Sequence, residues 1–446
     1  MPEEEKSKAK NEALSRQWRN KAVSDTYYPG SVFKMITASM GIETDVVNEG
    51  STFNCTGAII PCDGAQPIKC HKRSGHGSQN FVEALCHSCN PAFITIGLRV
   101  GAEHFFNFYK AFGFHDKTNI DLPGESGDIF FSQNGKMSQT DLAVASMGQN
   151  FGITPIQMVT AAAAIANGGK IVQPHVVKEI LDEDGNIVKA VEPIIKRRAI
   201  SEKTAKRVTA MMLENATHGS GKNAYVAGYR VAGKTGTSEK IGLSTVGQKD
   251  YISSFCGFAP ADNPKIAMLV FFDTPTGDLY YGSAVAAPIF AKAMQDILPY
   301  MGIEKIYSEE ELKKLDLKVP ELIGKPIGEA KSIAMGEALN PIVVGGGSTV
   351  ITQLPEPSGQ VPQGGTIVLY TDQESKSQTI KVPKLTGLSV FEANKSALAA
   401  KLNIKMAGND LTAAGVISAT QSIPEGTEVP PGTVITVRFI HKDRAT

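Results

Sequence analysis

The sequence lacks an excess of either charge. Its 446 residues include 45 basic and 45 acidic side chains, so overall charge gives no argument for a nucleic-acid partner or an anionic membrane surface. It lacks a long apolar run: no stretch approaches the ~20 residues a transmembrane helix needs. No secretory signal peptide opens it. Residues 1 to about 20 are poor in large apolar side chains and read as loop or frayed helix. Cysteine is scarce. Of six, five fall together at Cys55, Cys62, Cys70, Cys86 and Cys89, and the sixth, Cys256, sits in an apolar strand-like run and reads as a core residue. Apolar content is ordinary for a globular protein, and the length suits two or three domains.

What is present is three short motifs in order: Tyr28-Pro29-Gly30-Ser31-Val32-Phe33-Lys34, then Ser88-Cys89-Asn90, then Ala232-Gly233-Lys234-Thr235-Gly236-Thr237. A serine hydroxyl needs a base within hydrogen-bond reach to become a nucleophile. Pro29 and Gly30 suit a turn before a helix start, and residues i and i+3 share a helix face, so Lys34 is placed against Ser31. Burial beside other cations lowers a lysine pKa and leaves a neutral amine to accept the proton. Ser88 can relay that proton to a leaving amine, and the Asn90 amide can hold a peptide carbonyl. Lys234 to Thr237 follows an apolar stretch and reads as a strand whose glycines let a substrate approach closely. Lys234, Thr235 and Thr237 suit an anionic carboxylate, and the backbone N–H groups of Ser31 and Thr237 suit an oxyanion. Each motif by itself has an ordinary reading: an amphipathic helix surface, a Ser/Asn helix cap, a Gly-Lys-Thr turn. The ordered set of three carries the weight.

With these residues, the segment from 20 to about 300 resembles the transpeptidase domain of class B penicillin-binding proteins. His76-Gly77, Met147-Gly148-Gln149, Ile153-Thr154-Pro155, Ala166-Asn167-Gly168-Gly169 and Ser254-Phe255-Cys256-Gly257-Phe258 extend the likeness. The wording around Lys69-Cys70 and Ser88-Cys89-Asn90-Pro91 is similar to the sporulation-type and septal branch of Gram-positive bacteria. The resemblance implies a mixed α+β fold, with an antiparallel sheet flanked by helices plus a helical subdomain. It implies acylation of Ser31 by a D-Ala-D-Ala stem peptide, loss of D-Ala, and transfer to an amine acceptor. It implies inhibition by β-lactams, no catalytic cofactor, no nucleic acid, and a membrane glycosyltransferase partner at the external face of the cytoplasmic membrane. Only 30 residues precede Ser31, and none reads as an apolar strand. The expectation is therefore an N-terminally truncated domain lacking two sheet strands and the family's anchor, and soluble in this form.

The second half repeats. Lys318-Val319-Pro320-Glu321-Leu322-Ile323-Gly324 recurs 63 positions later as Lys381-Val382-Pro383-Lys384-Leu385-Thr386-Gly387. Each copy is followed by a helical pattern, a Pro/Gly-rich turn and a strand. That period is too long for a solenoid and suits two small α+β domains, which resemble PASTA modules, one helix on a three-stranded sheet. The expected organisation is a catalytic domain at 1–300, a linker at 301–317, modules at 318–372 and 381–446, and a linker at 373–380. The modules' role stays open between cell-wall recognition, bracing and a folded spacer.

Cys55 and Cys70 flank a hairpin-like segment with Asp63-Gly64 near its turn, and Cys86 and Cys89, spaced i, i+3, are expected to share a helical face. Cys55, Cys70, Cys86 and Cys89 make a candidate structural zinc set, with Asp63, His71, His76 and His87 as substitutes. Against it, the interval from Cys70 to Cys86 shows no compact knuckle. A Cys70–Cys89 disulfide acting as a redox switch, in the oxidising exterior the resemblance implies, and unlinked thiols are the rivals.

A D,D-carboxypeptidase, with water as acceptor, is the alternative within the same chemistry. A penicillin or cell-wall sensor that does not turn over is the alternative outside it, and it calls for a signalling region that the sequence does not show. A β-lactamase would need a deacylating Glu between Asn90 and Lys234, where the surrounding wording is of the transpeptidase kind.

Overall fold

The computed structural model describes residues 3–127, 130, 136–240, 250–276, 279–303, 305, 311, 316–362, 364–373, 378–408 and 416–441. The chain divides into two compact units, one of residues 1–226 and 230–297, the other of 227–229 and 298–446.

The first unit is built on a three-stranded antiparallel sheet. Tyr251–Ala259 is the central strand, between Ala232–Glu239 and Ile266–Asp273. One face is covered by the helix Gly282–Tyr300, where Phe290 lies 4.6 Å from Phe255. The helix Pro155–Ala166 packs on the other face. The helix Lys34–Glu43 carries apolar residues all round, the pattern of a helix enclosed on every side, and all its residues through Ile42 are buried. It packs on Asn90–Val100 at Gly41, where a Cβ would come within 2.7 Å of Ile96 and Val47. Phe33 anchors an aromatic core with Phe105, Phe114 and Phe151. The antiparallel sheet and helical layers match the fold expected from sequence. Residues 3–18, read as loop or frayed helix, form the exposed helix Glu3–Trp18, rich in the good helix formers Ala, Glu and Lys.

The second unit holds the two repeats. In the first, the helix Ile327–Gly336 accompanies Thr366–Tyr370, which pairs parallel with Asn340–Val344 and antiparallel with Thr352–Leu354. In the second, Val390–Ala399 accompanies Val434–His441, flanked in the same way by Asn403–Gly408 and Val416–Gln421. Each repeat adds a two-stranded pair, Asp316–Lys318 with Gln360–Pro362 and Ile380–Lys381 with Glu428–Val429. Asn403, fully buried, joins the repeats. It accepts the Thr366 N–H at 2.8 Å and donates to the Thr366 and Gly432 carbonyls at 2.9 and 3.0 Å. Much of both expected linkers (304, 306–310, 312–315 and 374–377), and 442–446 of the second module, lie outside the described residues. Among the described residues no helix is long and apolar enough to cross a membrane.

Candidate active site

Ser31 lies in a 3₁₀ turn, Gly30–Phe33, that runs directly into Lys34–Glu43. Three residues per turn put Ser31 and Lys34 on one line along the helix. The turn needs glycines at two points. Gly30 has φ +57°, and its N–H donates to the Gly148 carbonyl at 2.8 Å. A Cβ on Gly148 would lie 2.0 Å from the Gly30 oxygen. The turn is seated on the Ala232–Glu239 strand, where a Cβ on Gly236 would come within 2.6 Å of Val32 and 2.4 Å of Ser254 Oγ. Ser238 Oγ donates to the Tyr28 carbonyl at 2.7 Å. Strand and turn are thus locked together beside Thr237.

Lys34 is fully buried. Its Nζ donates to Asn90 Oδ1 at 2.7 Å, the Ser88 carbonyl at 2.8 Å and Ser88 Oγ at 3.3 Å. Burial pulls its pKa down to about 8, against the opposing pull of the Cys89 and Cys70 thiols. The Asn90 Nδ2 donates in turn to the Lys69 carbonyl at 3.2 Å. Lys234 is also fully buried. Its Nζ reaches Ser220 Oγ at 3.2 Å and both oxygens of Thr235 at 3.3 Å. Burial, and then the charge of Lys34, hold its pKa well below the ordinary lysine value. Thr237 Oγ1 accepts the Gly282 N–H at 3.0 Å, leaving its O–H free to donate outward. The structure therefore gathers Ser31, Lys34, Ser88, Asn90, Lys234, Thr235, Gly236 and Thr237 at one cleft between helix junction and strand.

The cysteines are arranged differently from the expected set. Cys55, Cys70, Cys89 and His76 place their ligand atoms within 4.8 Å of one another. Cys86 is not among them. The spacing i, i+3 puts two residues on one face only while the helix continues. Here the helix Phe81–Cys86 ends, and the chain turns through Ser88 with φ +51° before Cys89. The Cys86 thiol is pushed up to about 11 by burial and by nearby Glu214, with Lys234 opposing. The stretch after Cys70, expected to lack a knuckle, turns tightly against the Cys55 segment. A Cβ on Gly57 would lie 2.0 Å from the Arg73 oxygen, and one on Gly75 2.1 Å from the Cys55 oxygen, so two glycines let the chain cross itself and bring His76 in. His71 and His87 flank His76 at ring distances of 5.2 and 5.1 Å. Neither they nor Asp63 belongs to the four-residue group. All six cysteines are free thiols. Cys89 donates to Cys70, which pushes the Cys70 thiol down and the Cys89 thiol up. Cys256 is buried in the central strand, as expected.

Two groups escaped sequence reasoning. Ser220 and buried Asn215 stand behind Lys234. Tyr251, Tyr280 and Tyr281 stack beside the motif strand, at ring distances of 4.2 and 4.5 Å. The Gly219-Ser220-Gly221 tripeptide was the one local signal; the tyrosines gave none.

This fold, with a serine at a helix start, a buried lysine behind it and a Lys-Thr-Gly strand opposite, defines the active-site-serine class of penicillin-recognising proteins. The chain belongs to the penicillin-binding protein transpeptidase family: the penicillin binding protein transpeptidase domain matches residues 2–295, and the PASTA domain matches 317–373 and 380–439. Stage V sporulation protein D of Bacillus subtilis is 37% identical over 81% of this chain and 56% of its own length. Peptidoglycan D,D-transpeptidase FtsI of Escherichia coli is 30% identical over 64% of this chain and 46% of its own. The chain thus spans about half the length of these curated relatives. The transpeptidase domain of Burkholderia pseudomallei penicillin-binding protein 3 superposes with a TM-score of 0.57 at 27% identity, covering 65% of this chain and 84% of that one. Penicillin-binding protein 3 of Mycobacterium tuberculosis, complexed with aztreonam, gives 0.57 at 27% identity over 66% and 67%.

Proposed function

We propose that the chain is the catalytic part of a peptidoglycan D,D-transpeptidase. Ser31 Oγ attacks the carbonyl of the penultimate D-Ala of a stem peptide as its proton passes to Lys34 Nζ. The oxyanion is met by the N–H groups of Ser31 and Thr237. Ser88 relays the proton to the departing D-Ala amine, leaving an ester on Ser31. An amine of a second strand then attacks that ester, and its proton returns through Lys34 to Ser31. Asn90 holds the peptide, and Lys234 and Thr237 hold the terminal carboxylate, with Thr235 supporting the Lys234 amine and Gly236 leaving room for the substrate. The observation that carries this reading is Lys34, fully buried one turn from Ser31 and bonded to both Ser88 and Asn90. β-Lactams would acylate Ser31 in the same way, in keeping with the aztreonam complex of the Mycobacterium tuberculosis protein. The name of the Bacillus subtilis relative favours a sporulation setting over a septal one. We place the catalytic domain at 1–300 and the modules at 318–372 and 381–446, with linkers between. The whole protein would work at the external membrane face with a glycosyltransferase partner. The test is labelling by a fluorescent penicillin followed by a chase. Stable label at one equivalent, abolished by Ser31→Ala, is expected. Rapid loss of label would instead mark a hydrolytic enzyme.

We further propose that Cys55, Cys70, His76 and Cys89 hold a structural zinc ion. Three thiols and an imidazole are a common structural zinc set, and bonds of about 2.3 Å set ligand separations near 3.8 Å, which the group at 4.8 Å or less approaches. Cys89 is the middle residue between Ser88 and Asn90, and Cys70 follows the Lys69 carbonyl that holds Asn90. A metal here would fix both groups that orient Lys34. Elemental analysis of purified protein should find one zinc per chain. No metal together with a Cys70–Cys89 disulfide in unreduced protein would replace zinc with a redox switch.

A further inference from the structure

We infer that Ser220 is a positioning residue for the substrate's carboxylate, acting by fixing the Lys234 amine and the Thr235 hydroxyl on the strand wall of the cleft. The inference rests on the proposed role of Lys234 as carboxylate anchor. Its basis is a chain of hydrogen bonds whose directions are forced, beginning at a group with no choice. The Gly233 carbonyl can only accept, and it lies 2.7 Å from the side-chain nitrogen of buried Asn215. Asn215 must therefore turn its Nδ2 to Gly233 and its Oδ1 the other way. Oδ1 also can only accept, and Ser220 Oγ lies 3.0 Å from it, so the single Ser220 proton is committed there. Both Ser220 lone pairs are left, and they meet Lys234 Nζ and Thr235 Oγ1, each at 3.2 Å. Ser220 is thus saturated, donating once and accepting twice.

The consequence is electrostatic as well as geometric. Lys234 is buried and near a second lysine, and both circumstances favour loss of its proton. A lone pair held against Nζ favours the ammonium form that a carboxylate needs. Thr235 spends its proton on Ser220 and so faces the cleft as an acceptor, which leaves Thr237, whose oxygen already takes the Gly282 N–H, as the hydroxyl that donates to the carboxylate. The loop is built for this placement. A Cβ on Gly219 would lie 2.7 Å from Asn215 Oδ1, and one on Gly221 2.8 Å from Asn215 Nδ2. The Ser220 N–H donates to the Cys86 carbonyl at 2.9 Å, so the same residue touches the helix leading to Ser88.

The experiment compares acylation of wild-type protein, Ser220→Ala and Ser220→Thr by a penicillin and by its methyl ester, which lacks the carboxylate. For Ser220→Ala the penicillin rate constant should fall roughly 10- to 100-fold, the scale of one hydrogen bond to a charged group. The fall should appear as weaker binding, the ester rate should hold, and the high-pH limb of the penicillin profile should move to lower pH. Ser220→Thr, which keeps the hydroxyl, should recover most of the loss. The acid-to-ester ratio is read on one preparation, so incomplete folding cancels. An unchanged ratio in Ser220→Ala, or an unmoved pH limb, overturns the inference. A wild type that does not prefer the acid to the ester overturns instead the anchoring role of Lys234.

Discussion

The two walls of the cleft are held by different means. On the strand wall, contact is backbone against neighbour wherever a side chain is missing. A Cβ on Gly233 would lie 2.4 Å from the Phe255 ring, one on Gly236 2.6 Å from Val32, and one on Gly282 2.2 Å from the Gly236 oxygen. On the helix wall, contact runs through polar side chains: Lys34 to Ser88 and Asn90, Asn90 to the chain beside Cys70, and Cys89 into a thiol and imidazole group. Steric contacts of the first kind do not respond to solution conditions, because interiors at this density have one arrangement. Contacts of the second kind depend on protonation and, through the proposed zinc set, on oxidation and metal. The backbone of the strand wall serves as a fixed template, on which the Lys234 amine is the part that titrates, and the helix wall as an adjustable one.

The largest effect that bears on this contrast is removal of the base. Lys34→Ala should slow penicillin acylation about 100- to 10,000-fold, the range for loss of a general base, whereas Lys234→Ala should chiefly weaken binding of carboxylate-bearing compounds. Equal loss with a penicillin ester for both variants would erase the division between the walls. Next comes the fixed wall itself. Gly236→Ala should cost about 1–3 kcal/mol by overpacking and slow acylation on the order of 100-fold through misplacement of Ser31, and neither zinc nor reductant should restore the rate. Cys89→Ser or a strong chelator should act more mildly, about 10-fold on acylation with a lower melting temperature. A chelator with no effect on either would remove the adjustable character from the helix wall. The pH profile sharpens the contrast further. Lys34 must be neutral to act as base, so acylation should rise with pH and level off above about 8. Lys234 must be charged to hold a carboxylate, and burial and the Lys34 charge favour loss of its proton, so its deprotonation should lower the rate only for substrates with a carboxylate. The smallest effect on acylation is expected from Asn403→Ala, which removes bonds remote in sequence from every motif. The labelling rate should be unchanged, while the second unit loses about 1–3 kcal/mol in calorimetry.

Legibility in the sequence followed the distance over which each feature is specified. The motifs could be read because the proposed nucleophile and base lie three residues apart, and Lys-Thr-Gly-Thr is a continuous strand. The repeats could be read because one small domain is written twice, although the parallel pairing of Asn340–Val344 with Thr366–Tyr370 has no local mark. The thiol group was half legible. Its density pointed to the place, but choosing between Cys86 and His76 required knowing that the helix stops at Cys86 and that Gly57 and Gly75 permit a backbone crossing. Asn215 and Ser220 were invisible for the same reason. Their partners Gly233, Lys234 and Thr235 lie across a tertiary contact that no periodicity encodes.

Asn403 has a mechanical consequence. Its amide ties the first strand of one repeat's sheet to the last strand of the other through two hydrogen bonds to Thr366, with a third to Gly432 of its own repeat, in a buried joint. A joint made this way shears only if both bonds to Thr366 break together. Tension applied along the second unit is therefore expected to meet a single yield point shared by both repeats rather than two successive ones, so that the pair behaves under load as a strut and not as a hinge.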